Sequence, residues 1–438
     1  MNQKLWKIHQ WLGLYTGLVI GVLCFTGVLA LFIPEVESAL YLKKFQVRSI
    51  SHSSYQLNEQ HLGAMLEKFP GFELFSINLP QSKTDPLIAF IGKSGPAKTD
   101  SKQYHVYIDP NNGQVIGYRN HLDGLTNFLR QFHVRLFDNW YGRQIVGIAG
   151  IGLLGITITG LLIYGGFMRK QNYGEIRKHK GSRIFYADWH KFVGVTALAF
   201  NFVIAFTGAW LGLQPKLMNW FNIETPNKYN RETIVDKSVD QKTSFNLADV
   251  LSQSHENLPE IIPASISISD NGSSSLEIRG DIRGAVYERG SFKQVFDKES
   301  LSLLFQYDTR EADFKGKLYF IQEALHFGDF AGMPLKILYG VFGLTGSFLS
   351  VSGFFIYLKR SKQEKNNTAR LTAARKVTLW TVTTVFLCFI IALAHLIFGY
   401  VLTASVITVL VYVTLTLLTL LIIVKVLKTK RNANTQES

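Results

Sequence analysis

The stretch Trp6-Lys7-Ile8-His9-Gln10-Trp11-Leu12-Gly13 returns as Ala187-Asp188-Trp189-His190-Lys191-Phe192-Val193-Gly194. In both copies a glycine stands four residues after the histidine. A Thr-Gly pair follows, Thr26-Gly27 or Thr207-Gly208, with its glycine 18 residues on. A second correspondence joins Phe132-His133 to Leu325-His326. There the glycine of Thr159-Gly160 or Ser352-Gly353 comes 27 residues later, ahead of Ile163-Tyr164 or Ile356-Tyr357. Spacings this long, matched twice, mean that the chain is built from two copies of one unit.

The surrounding residues give that unit its setting. Runs 11–33, 144–168, 192–215 and 337–358 are free of charge. Each is long enough to cross about 30 Å of hydrocarbon at roughly 1.5 Å per helical residue. Run 377–424 is 48 residues long and also uncharged, which predicts a hairpin of two helices. Pro34 and Glu35 end the first run without an A-x-A-like cleavage site, so it reads as a retained helix and not a signal peptide.

The fold class expected is therefore a mainly α membrane protein of six transmembrane helices with two small α+β outer domains. Repeat 1 covers 1–168, with helix 11–33, outer domain 34–140 and helix 144–168. A basic loop, 169–186, leads to repeat 2, 187–360, with helix 192–215, outer domain 216–335 and helix 337–358. The hairpin 377–424 and a tail, 425–438, complete the chain. An even number of crossings per unit makes the repeats parallel.

Charge sets the expected orientation. Segments 1–10, 168–189, 359–376 and 425–438 hold 19 basic and 4 acidic residues, a net of +15, against +14 for the whole chain. Basic short loops mark the cytoplasmic side, so both termini are expected on that side of the membrane. The same placement excludes nucleic acid as a partner, because no domain has a basic patch of its own. Cys24 and Cys388 lie in apolar runs and suit neither a disulfide framework nor zinc. Gly92-Lys93-Ser94 lacks the upstream glycine of a phosphate loop.

Within the outer segments, Tyr104 to Ile108 alternates and runs through Asp109-Pro110-Asn111-Asn112-Gly113 into Gln114-Val115-Ile116, which predicts a hairpin. Strands are predicted at 265–269, 275–279 and 291–296 after a short helix at 245–254.

Ionisable residues at the hydrocarbon point to function. One histidine at a helix end fits an interfacial hydrogen bond equally well. Four at repeat-matched positions fit two b-type haems, each held between two imidazoles from facing helices. His9 would pair with His190 at one depth, and His133 with His326 at the other, roughly 27 Å of helix away. Zinc fits less well, since each layer offers two histidines and no nearby Cys or carboxylate. Lys7, Lys191, Arg130, Arg135 and Arg143 are candidate partners for haem propionates, although orientation explains the first two equally. Gly13, Gly17 and Gly21, and Gly340, Gly343 and Gly346, form small-residue stripes open either to a flat macrocycle or to a neighbouring helix. His395 stands outside the repeat, with a redox, proton or structural role all open.

The histidine helices with their His-x-x-x-Gly and Thr-Gly elements, and Val106-Tyr107-Ile108-Asp109-Pro110-Asn111-Asn112-Gly113-Gln114-Val115, resemble the PepSY-associated transmembrane family of iron-regulated membrane proteins, over about residues 1–360. Val295 to Ser300 departs from it by lacking the turn glycine. The resemblance implies that His9, His133, His190 and His326 ligate haem, and that a ferric siderophore is reduced on the periplasmic side. Hard oxygen ligands hold Fe(III) more firmly than Fe(II), so one electron releases the metal. Short cytoplasmic loops leave no flavin or nicotinamide domain, which predicts a quinol or separate donor. Two other readings stay open: a haem-bearing subunit serving a partner reductase, and a non-enzymatic protein that binds peptides or regulates a protease. Phe132, Trp140, Tyr141, Phe327 and Phe330 would serve as a docking surface or as an interfacial belt.

Overall fold

In the computed structural model, the described residues are 3–48, 55–93, 102–122, 124–137, 141–167, 172–229, 246–269, 275–287 and 290–363. The hairpin 377–424, the tail and His395 lie outside them.

The first apolar run is not one helix. Helix α1 (Gln3–Tyr15) and helix α2 (Gly17–Leu31) meet at Thr16 with a bend of 59°. The Thr16 hydroxyl donates to the Leu12 carbonyl at 2.8 Å, the back-bonding that bends helices. Pro34 starts the short helix α3 (Ile33–Leu40), where a missing N–H costs nothing. Then come helix α4 (Glu59–Glu67), capped by the Asn58 side chain, and strands β1 (Glu73–Asn78), β2 (Leu87–Lys93), β3 (Lys102–Ile108) and β4 (Val115–Asn120). Helix α5 (Leu125–Arg135) leads back to the long apolar helix α6 (Tyr141–Phe167).

The second unit follows the same order. Helix α7 (Ser182–Thr196) and helix α8 (Leu198–Phe221) break at Ala197, the position that matches Thr16 when His190 is laid on His9. Next are helix α9 (Leu247–Asn257), capped by Asn246, then strands β5 (Ile261–Ser269), β6 (Ser275–Ile282), β7 (Phe292–Asp297) and β8 (Leu303–Tyr307). Helix α10 (Phe314–Phe327), capped by Asp313, precedes helix α11 (Gly332–Gln363).

This architecture corrects the expected fold class. Eleven helices occur among the described residues. Three contain stretches long and apolar enough to cross a membrane, Gly142–Gly165, Leu198–Phe221 and Gly332–Arg360, or four if the bent pair α1 and α2 is one span. Among the described residues the arrangement is not the mainly α, six-span one expected: three or four spans accompany an eight-stranded sheet. Nor are there two separate outer domains. All eight strands form one antiparallel sheet in the order β4-β3-β2-β1-β5-β6-β7-β8. The seam is the β1–β5 pair, Ile77 against Ile266 and Asn78 against Ser265. Two four-stranded meanders joined antiparallel at equivalent edges are related by a two-fold axis perpendicular to the sheet. Each meander hides its exposed edge strand by pairing it with the other's.

Strand alternation gives this sheet two unlike faces. One buries Ile77, Leu87, Ala89, Ile91, Val106, Ile108, Ile266, Leu276, Ile278 and Phe296 against Leu62 and Met65 of α4 and Leu247 and Val250 of α9. Both halves contribute to that core. The other face looks toward the helices and is polar. Its cross-strand rows include Tyr107, Ile88, Asn78, Ser265, Arg279, Lys293 and Tyr307.

That face is tied to the helices at both ends. Arg119 of β4 forms an ion pair with Glu37 of α3, lies 4.0 Å over the Tyr41 ring, and donates to the Tyr107 hydroxyl at 2.8 Å. Phe45 stacks on Tyr107 at 4.1 Å. In the second half, Tyr307 meets Phe320 of α10 at 5.8 Å.

Beside Arg119 the His105 and His121 rings lie 4.4 Å apart. Burial pushes His105 down to about 3, with the charge of His121 adding to it. Burial also pushes His121 down to about 4, helped by Arg119 and Arg130. Both folded values lie below the ordinary histidine value of about 6.5, so the unfolded chain takes up protons first. Their stabilising contribution is complete above about pH 6.5 and is lost as pH falls toward 4 and then 3. The melting temperature should drop between pH 7 and pH 4.5, and the drop should shrink in a His105→Gln/His121→Gln variant. Equal pH dependence in the two proteins would show that other groups govern it.

Candidate functional site

The four repeat-matched histidines sit on four separate helices, His9 on α1, His133 on α5, His190 on α7 and His326 on α10. The four hydroxyl–glycine pairs sit on four others, Thr26-Gly27 on α2, Thr159-Gly160 on α6, Thr207-Gly208 on α8 and Ser352-Gly353 on α11. Each histidine meets one pair, but not the pair that follows it in sequence. His9 Nδ1 lies 3.0 Å from Thr159 Oγ1, and His133 Nδ1 lies 3.2 Å from Thr26 Oγ1. His190 Nδ1 is 2.8 Å from Ser352 Oγ, and His326 Nδ1 is 2.9 Å from Thr207 Oγ1. Within each repeat the two motifs exchange partners.

The breaks at Thr16 and Ala197 make this exchange possible. The first piece of each broken helix, α1 or α7, packs against the closing helix of its own repeat, α6 or α11. The second piece, α2 or α8, turns to meet α5 or α10. A straight helix has only one direction in which to lean.

Each glycine makes room for an imidazole. A Cβ added at Gly27 would stand 2.8 Å from His133 Cε1, one at Gly160 3.3 Å from His9 Cε1, one at Gly208 3.2 Å from His326 Cε1, and one at Gly353 3.3 Å from His190 Cε1. The hydroxyls settle which nitrogen holds the proton. Thr159 donates its own hydrogen to Gly155 O at 2.6 Å, Thr26 to Val22 O at 3.0 Å, Thr207 to Val203 O at 2.7 Å and Ser352 to Leu349 O at 3.2 Å. A hydroxyl whose hydrogen is committed can only accept, so Nδ1–H is the donor. The carbonyls of Ile156, Leu23 and Leu349 reinforce this for His9, His133 and His190, since a carbonyl never donates. The consequence is a lone pair on Nε2 at all four sites, the arrangement in which a neutral imidazole ligates a metal.

The repeats bring His133 and His326 together, with ring centroids 6.5 Å apart and planes 30° from parallel. With metal–imidazole bonds of about 2.0–2.1 Å and the ring radius added at each end, two imidazoles on one iron have centroids about 6–6.5 Å apart. The donor set and its spacing fit a haem held between these two side chains. His9 and His190 are near enough for the charge of one to act on the other. Among the described residues no cluster of three or more His, Cys, Asp or Glu side chains offers a competing metal site.

The other candidates are placed as follows. Lys191 forms an ion pair with the buried Asp188 at 2.9 Å, and Arg143 donates to the Leu211 carbonyl at 2.8 and 3.0 Å, bracing α8. Lys7 lies on α1, and Arg130 and Arg135 lie on α5 within a turn of His133. Gly340, Gly343 and Gly346 abut Phe32, Val28 and Cys24, and Gly21 abuts Ser350, so these glycines pack α2 on α11. At Gly13 and Gly17 nothing lies within 4 Å of an added Cβ.

Asp188 escaped the sequence reading. It accepts from the Arg177 backbone N–H at 3.1 Å and from the Arg177 guanidinium at 2.9 and 2.8 Å, fastening the preceding loop to α7 two residues before His190. An acid inside the apolar-flanked histidine motif, in a segment 168–189 with six basic and two acidic residues and with Lys7 at its repeat-equivalent position, was the available signal.

The chain is 22% identical over 262 residues to an uncharacterized protein of Pseudomonas aeruginosa, a match covering 56% of this chain and 66% of the relative, just under two thirds of its length. The family model described as the PepSY-associated TM region matches residues 6–360, which include all four histidines and the whole sheet. With its apolar helices, the chain is a multi-pass membrane protein and belongs to the PepSY-associated transmembrane family.

Proposed function

We propose that the protein is a di-haem electron-transfer protein of the bacterial cytoplasmic membrane that reduces a ferric siderophore at the sheet-bearing, periplasmic side. The observation that supports this most is the His133–His326 pair, one imidazole from each repeat, 6.5 Å apart with both Nδ1 atoms held by threonine hydroxyls. His9 and His190 are the proposed ligands of the second haem. Haem held by these histidines would supply one-electron chemistry.

The chain's own residues do the rest. The hydroxyls fix the ring planes and keep Nε2 deprotonated, and the glycines let each imidazole lie against the facing helix. Lys7, Arg130 and Arg135 are proposed partners for propionates. The electron comes from a quinol or a separate protein donor at the opposite surface. The ferric chelate accepts one electron, and Fe(II), held less tightly by hard oxygen ligands, leaves.

Haem content and turnover test the reading together. Purified protein should show a Soret band with two haems per chain, and the dithionite-reduced form should be reoxidised by a ferric siderophore. A colourless protein would remove the haem reading. Two haems that ferric siderophores leave reduced would make the chain a haem-bearing subunit for a partner reductase.

A further inference from the structure

The polar face of the sheet contains a groove that the electron-transfer pairs do not use. Its first part, about 290 Å³, lies between β6 and β7, the segment 225–229 that follows α8, and α10, and is lined by Lys228, Tyr229, Glu277, Arg279, Lys293 and Tyr319, among others. Arg279 and Gly290 also line a second part, about 350 Å³, which runs across the β1–β5 seam beside Asn78 and Ser265. Each part is at the lower end of the range for small-molecule sites, roughly 300–1,000 Å³, and the two adjoin.

Charge is unbalanced in the first part, whereas the second part adds one carboxylate, Asp85, beside the shared Arg279. Lys228, Arg279 and Lys293 face one carboxylate, Glu277, among the lining residues of the first part. Arg279 and Lys293 share that carboxylate, both at 2.7 Å, while Lys228 reaches out to the exposed Glu224 at 2.9 Å. Lys293 is nearly buried, yet the side chains of Lys228 and Arg279 are half-exposed. Tyr229 and Tyr319 add phenol hydroxyls and flat ring faces. A simple oxyanion would leave most of this space unfilled. The lining suits a bulkier anion with several oxygens around its rim.

The groove also has a position. Tyr319 and Phe320 in its wall belong to α10, and His326 follows Phe320 by six residues, about 9 Å of helix rise. We infer that this groove binds the electron acceptor, and that the acceptor is an anionic, oxygen-ligated ferric chelate. The assignment rests on the reading of the sheet side as the reducing side.

Gallium(III) complexes, which cannot be reduced, separate binding from electron transfer. The full-length protein in detergent should bind a trianionic gallium tris-catecholate more tightly than an uncharged gallium tris-hydroxamate, measured by calorimetry. Charge-assisted contacts make the expected preference about tenfold, and it should weaken in high salt. A Lys228→Gln/Arg279→Gln variant should lose the preference while keeping the Soret band and its affinity for the uncharged complex. Glu277→Gln should strengthen binding of the anion. Equal binding of the two complexes by the unaltered protein, or an undiminished preference in the double variant, would overturn the assignment. Anion preference in a protein without a Soret band would keep the groove as an anion site and discard the electron-transfer reading. A Soret band without the preference would do the reverse.

Discussion

Replacing His133 or His326 by alanine is expected to abolish the same one of two haems, and replacing His9 or His190 the other. The expectation follows from the two-fold arrangement, in which each site takes one imidazole from each repeat. Truncating either partner leaves the iron with one protein ligand, so both variants of a pair should show the same loss. The checks are haem per chain, falling from two to one, and a redox titration in which one midpoint disappears. Gly27→Val should reproduce His133→Ala, because its Cβ would stand 2.8 Å from the His133 ring. Thr207→Val should be milder. It removes the acceptor for His326 Nδ1–H, which favours a shifted midpoint potential over haem loss. Loss of both haems, or of neither, in all four alanine variants would contradict the pairing.

The second large effect is expected at Gly212, where α8 crosses α6. An added Cβ there would lie 2.4 Å from Gly147 Cα and 3.0 Å from the Arg143 carbonyl. Both obstacles are backbone, so no rotamer change relieves them and the helices must separate. Overpacking of side chains typically costs about 1–3 kcal/mol. Here a whole interface moves, and Gly212→Val is expected to exceed that range. Detergent-solubilised protein should lose most of its folded yield, read by size-exclusion chromatography and thermal unfolding. Gly165→Ala is the control. Nothing lies within 4 Å of its added Cβ, and alanine is the better helix former by up to about 1 kcal/mol. Comparable yields for the two variants would mean that close approach of α6 and α8 is dispensable.

Much of the candidate site was legible because a repeat preserves spacing. The four histidines and the four hydroxyl–glycine pairs are visible as letters at fixed intervals. Their pairing was not, since the sequence sets Thr26-Gly27 after His9 while the bend at Thr16 turns it toward His133. That bend lies inside an unbroken apolar run, and hydropathy does not respond to a single threonine bonding back to Leu12. The strands at 104–108 and 275–279 could be read from alternation and turn residues. The union of two meanders into one sheet could not, because it depends on Asn78 meeting Ser265, nearly 190 residues away. Three helices with apolar spans, or four with the bent pair, replace the expected six-span count among the described residues.

The shared sheet has a consequence for how the chain is made. When the ribosome has finished β4, the seam edge of β1 still awaits β5, and Leu57, Leu62 and Ile77 await Leu247, Val250 and Ile266 to close over them. The first half must therefore be held, with a sticky edge and an open apolar face, until the polypeptide has crossed the membrane again and the second half emerges. A chain halted after α6 should aggregate or recruit a holdase, and co-expressing the missing half as a separate polypeptide should rescue it.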